Sequence, residues 1–145
     1  LEGNAIKKAK EFYAEVGVPC FADDTGLEVT ALGGRPGVRS ARYAGEDGNA
    51  EANMALLLQE LHEKEDRSAQ FRTVIAYYDG ENLHTFEGVL KGRIGTEKKG
   101  QFGFGYDPLF FPENENITLA EMEPANKNAI SHRGRAVREF ANFLL

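Results

Sequence analysis

The sequence predicts a single α/β domain built on a mixed β-sheet with helices laid against it. Three observations carry that prediction. Apolar residues recur at helical spacing near both ends of the chain and again between residues 49 and 61. Alternating or doubly apolar runs fill the segments between them. An Asp79-Gly80 pair joins the two longest of those runs as a hairpin signal. Helices before and after a hairpin-bearing sheet define a layered domain, and 145 residues with 41% hydrophobic and 28% charged content suit one soluble globular unit.

Taken in order, Ala5, Ala9, Phe12 and Val16 mark one face of a first helix, and Gly17 is its stop. Val18 to Ala22 reads as a short buried strand that ends at Asp23 and Asp24, with Thr25 and Gly26 forming a turn. Leu27 to Leu32 alternates as a second strand, broken by Gly33-Gly34. Residues 35 to 48 are loop. Met54, Leu57, Leu58 and Leu61 place a second helix over Asn49 to Leu61. Ala69 to Tyr78 is apolar on both faces and therefore central. The return strand runs from about residue 83 to 94, with bends expected at Gly88 and Gly92. A glycine-rich loop covers 98 to 105, Leu109 to Phe111 is a short strand, and a last helix spans Ser131 to Leu144.

Composition excludes several functions. A net charge of −6 argues against nucleic acid held by bulk attraction. No apolar run approaches the roughly 20 residues of a membrane helix, and these 145 residues show no signal-peptide pattern. With Cys20 alone no internal disulfide can form, so a reducing, cytoplasmic setting is expected. The chain opens Leu1-Glu-Gly-Asn-Ala without Met and turns helical almost at once, which reads as the middle of a longer protein.

Three polar clusters stand out. The first is Phe21-Ala-Asp-Asp-Thr-Gly-Leu-Glu28, whose adjacent carboxylates Asp23 and Asp24 repel one another unless a divalent cation offsets them. The second is Lys98-Lys-Gly-Gln-Phe-Gly-Phe-Gly-Tyr-Asp-Pro108, where glycines let backbone approach a ligand and Phe102, Phe104 and Tyr106 offer rings for a planar base or anchors for the loop. The third is basic. Lys127, His132, Arg133, Arg135 and Arg138 lie between Glu123 and Glu139 with no acid among them. Ser131 is a natural N-cap, so His132 and Arg133 fall in a first helical turn, where cations are disfavoured unless an anion compensates. Arg39-Ser-Ala-Arg-Tyr43 is suggestive, although a loop arginine more often pairs with a nearby acid.

Phe21-Ala-Asp-Asp-Thr-Gly-Leu-Glu28, Gly37-Val-Arg-Ser-Ala-Arg-Tyr-Ala-Gly45, Phe104-Gly-Tyr-Asp-Pro-Leu-Phe110 and Lys127-Asn-Ala-Ile-Ser-His-Arg133 resemble in order and spacing the inosine/xanthosine triphosphate pyrophosphatase family. The resemblance spans nearly the whole chain. It implies a two-lobed α/β fold with the substrate cleft between the lobes, a homodimer, and Mg²⁺-dependent cleavage of ITP, dITP or XTP to the monophosphate and pyrophosphate. By position it makes Asp24 the general base and a metal ligand, with Asp23 supporting the metal. Thr25 would touch the substrate. Phe104, Gly105, Tyr106 and Asp107 would hold base and sugar, Lys127 the phosphates or base, and His132 and Arg133 the purine edge.

The sequence departs from that family in two places. It has no N-terminal strand and Ser/Thr-x-Asn-x-x-Lys loop, so the single domain 1–145 is expected to lack them. A metal-binding Glu expected before Asn4-Ala5 is replaced by Gly3, which leaves Glu2 as the candidate ligand. A nucleotide-binding module of little or no activity and a pyrimidine-preferring pyrophosphatase are the alternative readings. An aspartyl-phosphate mechanism fits less well, because it wants acids two apart.

Overall fold

The computed structural model describes residues 1–145. Helix α1 (Glu2–Val16) leads into β1 (Cys20–Val29) and the short β2 (Pro36–Gly37); α2 (Ala50–Leu61) precedes the β3 (Ser68–Tyr78) and β4 (Leu83–Ile94) hairpin; β5 (Phe110–Pro112), α3 (Pro124–Ile130) and α4 (His132–Leu144) follow. The α/β architecture matches the expectation. The sheet, in order β2-β1-β3-β4-β5, is antiparallel at every pairing and not mixed. The reason lies in the connections. Val29 at the end of β1 pairs with Ala69 near the start of β3. The chain therefore leaves and re-enters at the same end, and α2 does not cross the sheet as a parallel connection requires.

The two short strands expected on either side of an Asp-Asp-Thr-Gly turn are one ten-residue strand. Cys20 to Val29 pair without interruption with Tyr78 to Ala69. Thr25 is held in extended backbone by the ladder, and its hydroxyl bonds the Thr73 hydroxyl opposite at 2.8 Å. Successive strand residues face opposite sides. Phe21, Asp23, Thr25 and Leu27 therefore lie on one face and Ala22, Asp24, Gly26 and Glu28 on the other.

Contacts fix which helix covers which face. Ala5 and Ala9 of α1 pack on Ala22, Val74 and Ala76, while Ala136 and Phe140 of α4 pack on Ile75 across the sheet. A larger cluster of 15 buried residues, including Leu27, Phe71, Leu90, Leu57 and Phe110, lies under α2. The core is thus divided into three clusters about one sheet. Of the helix faces read from the sequence, Phe12, Val16, Val137, Phe143 and Leu144 stay exposed.

Local chemistry sets most boundaries. Asn49 caps α2 by accepting from the Ala52 N–H, and Ser131 caps α4 by accepting from the Gly134 N–H. The hairpin loop 79–82 is closed by Asp79, whose carboxylate accepts from the N–H groups of Glu81 and Asn82. β4 pairs with β3 without a bulge at Gly88 or Gly92. They are sites of close approach: a Cβ at Gly88 would lie 1.9 Å from the His132 carbonyl oxygen and 2.5 Å from the Ala136 nitrogen. Helix α4 thus rests on bare strand backbone, with its first turn seated there. Gly88→Ala must displace that end of α4, and a loss of about 1–3 kcal/mol is expected, read as a lower urea midpoint with an unchanged m-value.

Candidate active site

Where α4 meets the sheet lies a cavity of about 360 Å³. Thr25, Phe104, Gly105, Tyr106, Asp107, Lys127, His132 and Arg133, which come from a strand, a loop and two helices, all line it. Its floor is Thr25, Leu27 and Phe71. One side is formed by α3, α4 and the aromatic loop, and the other by Ser40, Ala41, Gly48 and Asn53.

The aromatic loop divides its rings. Tyr106 is buried, and its hydroxyl donates to the Ser40 carbonyl at 2.6 Å, so it ties two loops together. Burial pushes its phenol far above the ordinary range and keeps it a neutral donor. Phe104 is 81% exposed at the cavity rim, with the Lys127 ammonium 4.6 Å from its ring centre. Phe102 is also half-exposed. Asp107 is buried behind them. It accepts from the Phe104 N–H at 3.1 Å and from Lys127 at 2.6 Å, which fixes both the loop and the ammonium.

His132 and Arg133 occupy the first turn of α4, as the sequence implied, but the fold already supplies much of the charge compensation. Arg133 reaches Asp23 at 3.3 Å and the Thr25 hydroxyl at 3.2 Å. His132 stacks on Phe71 with ring centres 5.0 Å apart. Its pKa falls from 6.5 to about 4, through burial first and then the neighbouring Arg133 and Lys127. The imidazole is neutral at pH 7, and its buried Nδ1 has no protein partner.

Asp23 and Asp24 do not act as one acidic corner. The pleat sends the Asp23 side chain to the cavity face, where it holds Arg133, and Asp24 to the α1 face. There one Asp24 oxygen accepts from the Thr25 N–H and lies 4.0 Å from Lys8, while Oδ2 is buried without any partner. Lys8 also donates to the Asp23 carbonyl. Glu2 shares the α1 face and pairs with Arg72 at 2.6 Å; Glu87 and Glu28 pair with the same guanidinium. No three acid, His or Cys side chains converge into a ready-made metal cage.

The cavity residues to which the sequence assigns no role in the site include Ser40, Ala41, Gly48, Ala50, Asn53 and Phe71. Ser40 and Ala41 sit inside the flagged Arg39–Tyr43 segment, whose two arginines do pair locally, with Glu46. Asn53 could have been noticed as a polar residue four before Leu57 and eight before Leu61, on the core-facing side of α2.

An antiparallel sheet with helices on both faces, and a polar cleft at the N-terminus of its last helix, is the architecture to be placed. The Ham1 family model matches residues 1–143, and the chain belongs to that family. It is 53% identical over 146 residues to a dITP/XTP pyrophosphatase of Porphyromonas gingivalis, covering 100% of this chain and 75% of that protein. It is 45% identical over 147 residues to the dITP/XTP pyrophosphatase of Bacillus subtilis, covering 99% and 74%. The solved Ham1 protein of Staphylococcus aureus superposes with a TM-score of 0.96 at 42% identity, covering 99% of this chain and 75% of that one. A HAM1 protein from Coxiella burnetii gives 0.94 at 40% identity, covering 97% and 74%.

The His132 environment carries a pH signature. Its folded pKa of about 4 lies below the ordinary 6.5, so the unfolded chain takes up this proton first. Its contribution to stability is complete above pH 6.5 and is lost as pH falls from there toward 4. Urea unfolding of wild type and His132→Gln across pH 4 to 7.5 should give a difference that shrinks through that window and is flat above it.

Proposed function

We propose that this chain hydrolyses dITP, ITP and XTP to the nucleoside monophosphate and pyrophosphate, and so removes deaminated purines from the nucleotide pool. The observation that carries this reading is the convergence of Phe104, Lys127, His132 and Arg133 on one cavity, in a chain whose curated relatives are named dITP/XTP pyrophosphatases. The chain would act as one catalytic domain, in the cytoplasm and as a homodimer.

In this reading the purine lies over the Thr25–Leu27 floor, beside the exposed Phe104 ring. The 6-carbonyl of hypoxanthine or xanthine accepts a hydrogen bond, for which Arg133 is the donor at hand. Adenine offers a 6-amino donor there and meets a cation, so it is rejected. Lys127, held by Asp107, adds positive charge at the rim for base or phosphate.

The phosphates must reach Asp24 on the other face of β1. β2 pairs with β1 only at Leu27 and Glu28, which leaves the outer edge of residues 20–26 without a strand partner over which the chain of phosphates can pass. Asp24 Oδ2, buried and unpartnered, accepts the proton of a water whose oxygen attacks the α-phosphorus. The bond to the α,β-bridging oxygen breaks, and its electron pair leaves with pyrophosphate. Lys8 lies beside this point to offset the developing charge.

That same unpartnered oxygen suits a hard cation. Asp24 would hold Mg²⁺ with Glu2 from the same face, water and phosphate oxygens completing the shell. When bound, such an ion neutralises the phosphate oxygens. Asp23 does not fit as a ligand of that ion, because its side chain lies across the strand on Arg133.

Pyrophosphate release from dITP tests the whole reading. EDTA should stop it and excess Mg²⁺ restore it. Asp24→Asn should cut kcat by about 10²–10⁴-fold or more with little change in thermal midpoint, and Asp23→Asn far less; equal losses would reverse the assignment of the two acids. Arg133→Ala should raise KM for ITP and narrow the ITP-over-ATP ratio of kcat/KM. If that ratio held, the purine edge would be read elsewhere. Binding of dITP without pyrophosphate release would favour a non-catalytic nucleotide module.

A further inference from the structure

The reading above leaves guanine unexplained, since it shares the 6-carbonyl. It differs from hypoxanthine only at position 2, where hypoxanthine carries hydrogen and guanine an amino group; xanthine carries a carbonyl there and a proton on N3. Discrimination there depends on whether the cavity can accept a hydrogen bond, because a buried amino group without an acceptor loses its hydration and gains nothing.

The cavity side opposite α4 includes Ser40, Ala41 and Asn53, and their carbonyl and side-chain acceptors already hold hydrogen bonds. The Ser40 carbonyl accepts from the Tyr106 hydroxyl at 2.6 Å and from the Asn53 amide at 3.4 Å. The Ala41 carbonyl accepts from the same amide at 2.9 Å. The Asn53 oxygen is occupied by the Ala44 N–H at 2.8 Å, and the Ser40 hydroxyl bridges the Leu27 N–H and the Gly37 carbonyl. Asn53 is only 4% exposed, a costly place for an amide in a helix unless each of its groups is paired. Every one of its bonds goes to this wall.

We propose that Asn53 and Tyr106 are specificity-determining residues that reject guanine nucleotides. They hold residues 40–44 as a wall whose Ser40 and Ala41 carbonyls each already accept a hydrogen bond. A 2-amino group placed against it is unpaired. A 2-hydrogen asks for nothing, and a 2-carbonyl brings no donor that needs an acceptor. The proposal rests on the purine reading of the cavity, and its test separates the two.

Steady-state kinetics with dITP and dGTP should be measured for wild type, Tyr106→Phe and Asn53→Ala, together with calorimetric binding of IMP and GMP. Each variant frees one or more wall carbonyls. The dGTP-to-dITP ratio of kcat/KM should rise about tenfold in Asn53→Ala and by a smaller factor in Tyr106→Phe, with GMP binding gaining on IMP in the same order. A purely structural role would lower both substrates together and leave the ratio fixed. An unchanged ratio in both variants, with circular dichroism showing them folded, overturns the proposal. So does wild-type protein that binds IMP and GMP alike, even if dITP is hydrolysed. Wild-type protein that prefers IMP yet releases no pyrophosphate upholds the wall and refutes the hydrolysis instead.

Discussion

The ladder between β1 and β3 is the constraint on which the rest of the structure depends. Ten consecutive residue pairs run from Cys20 and Tyr78 to Val29 and Ala69. Within such a ladder a side chain has no choice of face, since a slip of one residue would exchange the two faces of the strand. The register that buries Ala22 under α1 and Leu27 under α2 therefore also decides that Asp24 faces Lys8 and Asp23 faces Arg133. The neighbouring acids, which look like one unit in sequence, become two half-sites on opposite sides of a single strand.

Charge in the cleft is balanced largely within the protein. Lys127 is matched by Asp107, Arg133 by Asp23, and His132 sheds its proton because burial and two adjacent cations oppose it. The pairing of Asp107 with Lys127 is well shielded, and breaking such a pair by removing one partner leaves a buried charge behind, typically at a cost of about 3–5 kcal/mol. Such a cleft is preorganised: its donors are fixed in place before an anionic ligand arrives, and they need little rearrangement when charge develops on it.

Legibility from the sequence followed the range of the interaction. Local chemistry was readable: Asn49 and Ser131 as caps, Asp79-Gly80 as the hairpin, and β3 as central from its apolar residues on both faces. Thr25-Gly26 misled because turn-type residues can equally be strand residues when the ladder on the other side is long enough. The antiparallel sheet was hidden for a similar reason, since only the pairing of Val29 with Ala69 reveals that α2 does not cross it. Helix α3 carries no apolar stripe and begins at a proline, so it left little periodic signal, although Lys127 on it was singled out from charge. The aromatic loop and the basic residues Lys127, His132 and Arg133 were found by composition, whereas Asn53 acts through backbone groups nine to thirteen residues away, which no local pattern displays.

The wall and the acids are parts of one body. Gly26 follows Asp24 by two residues, and a Cβ there would stand 2.4 Å from the Gly37 carbonyl oxygen, so the loop that carries the wall is pressed onto the strand that carries the acids. Ser40 adds a second clamp through the Leu27 N–H. A base that fails to seat against Ser40 and Ala41 cannot recruit the wall to follow it without disturbing β1. Its phosphates are displaced relative to Asp24 instead, and a misplacement of about 1 Å in such a reaction costs on the order of a hundredfold in rate. Rejection of a wrong base can thus appear in kcat as well as in KM, because recognition and hydrolysis share the same ten residues of strand.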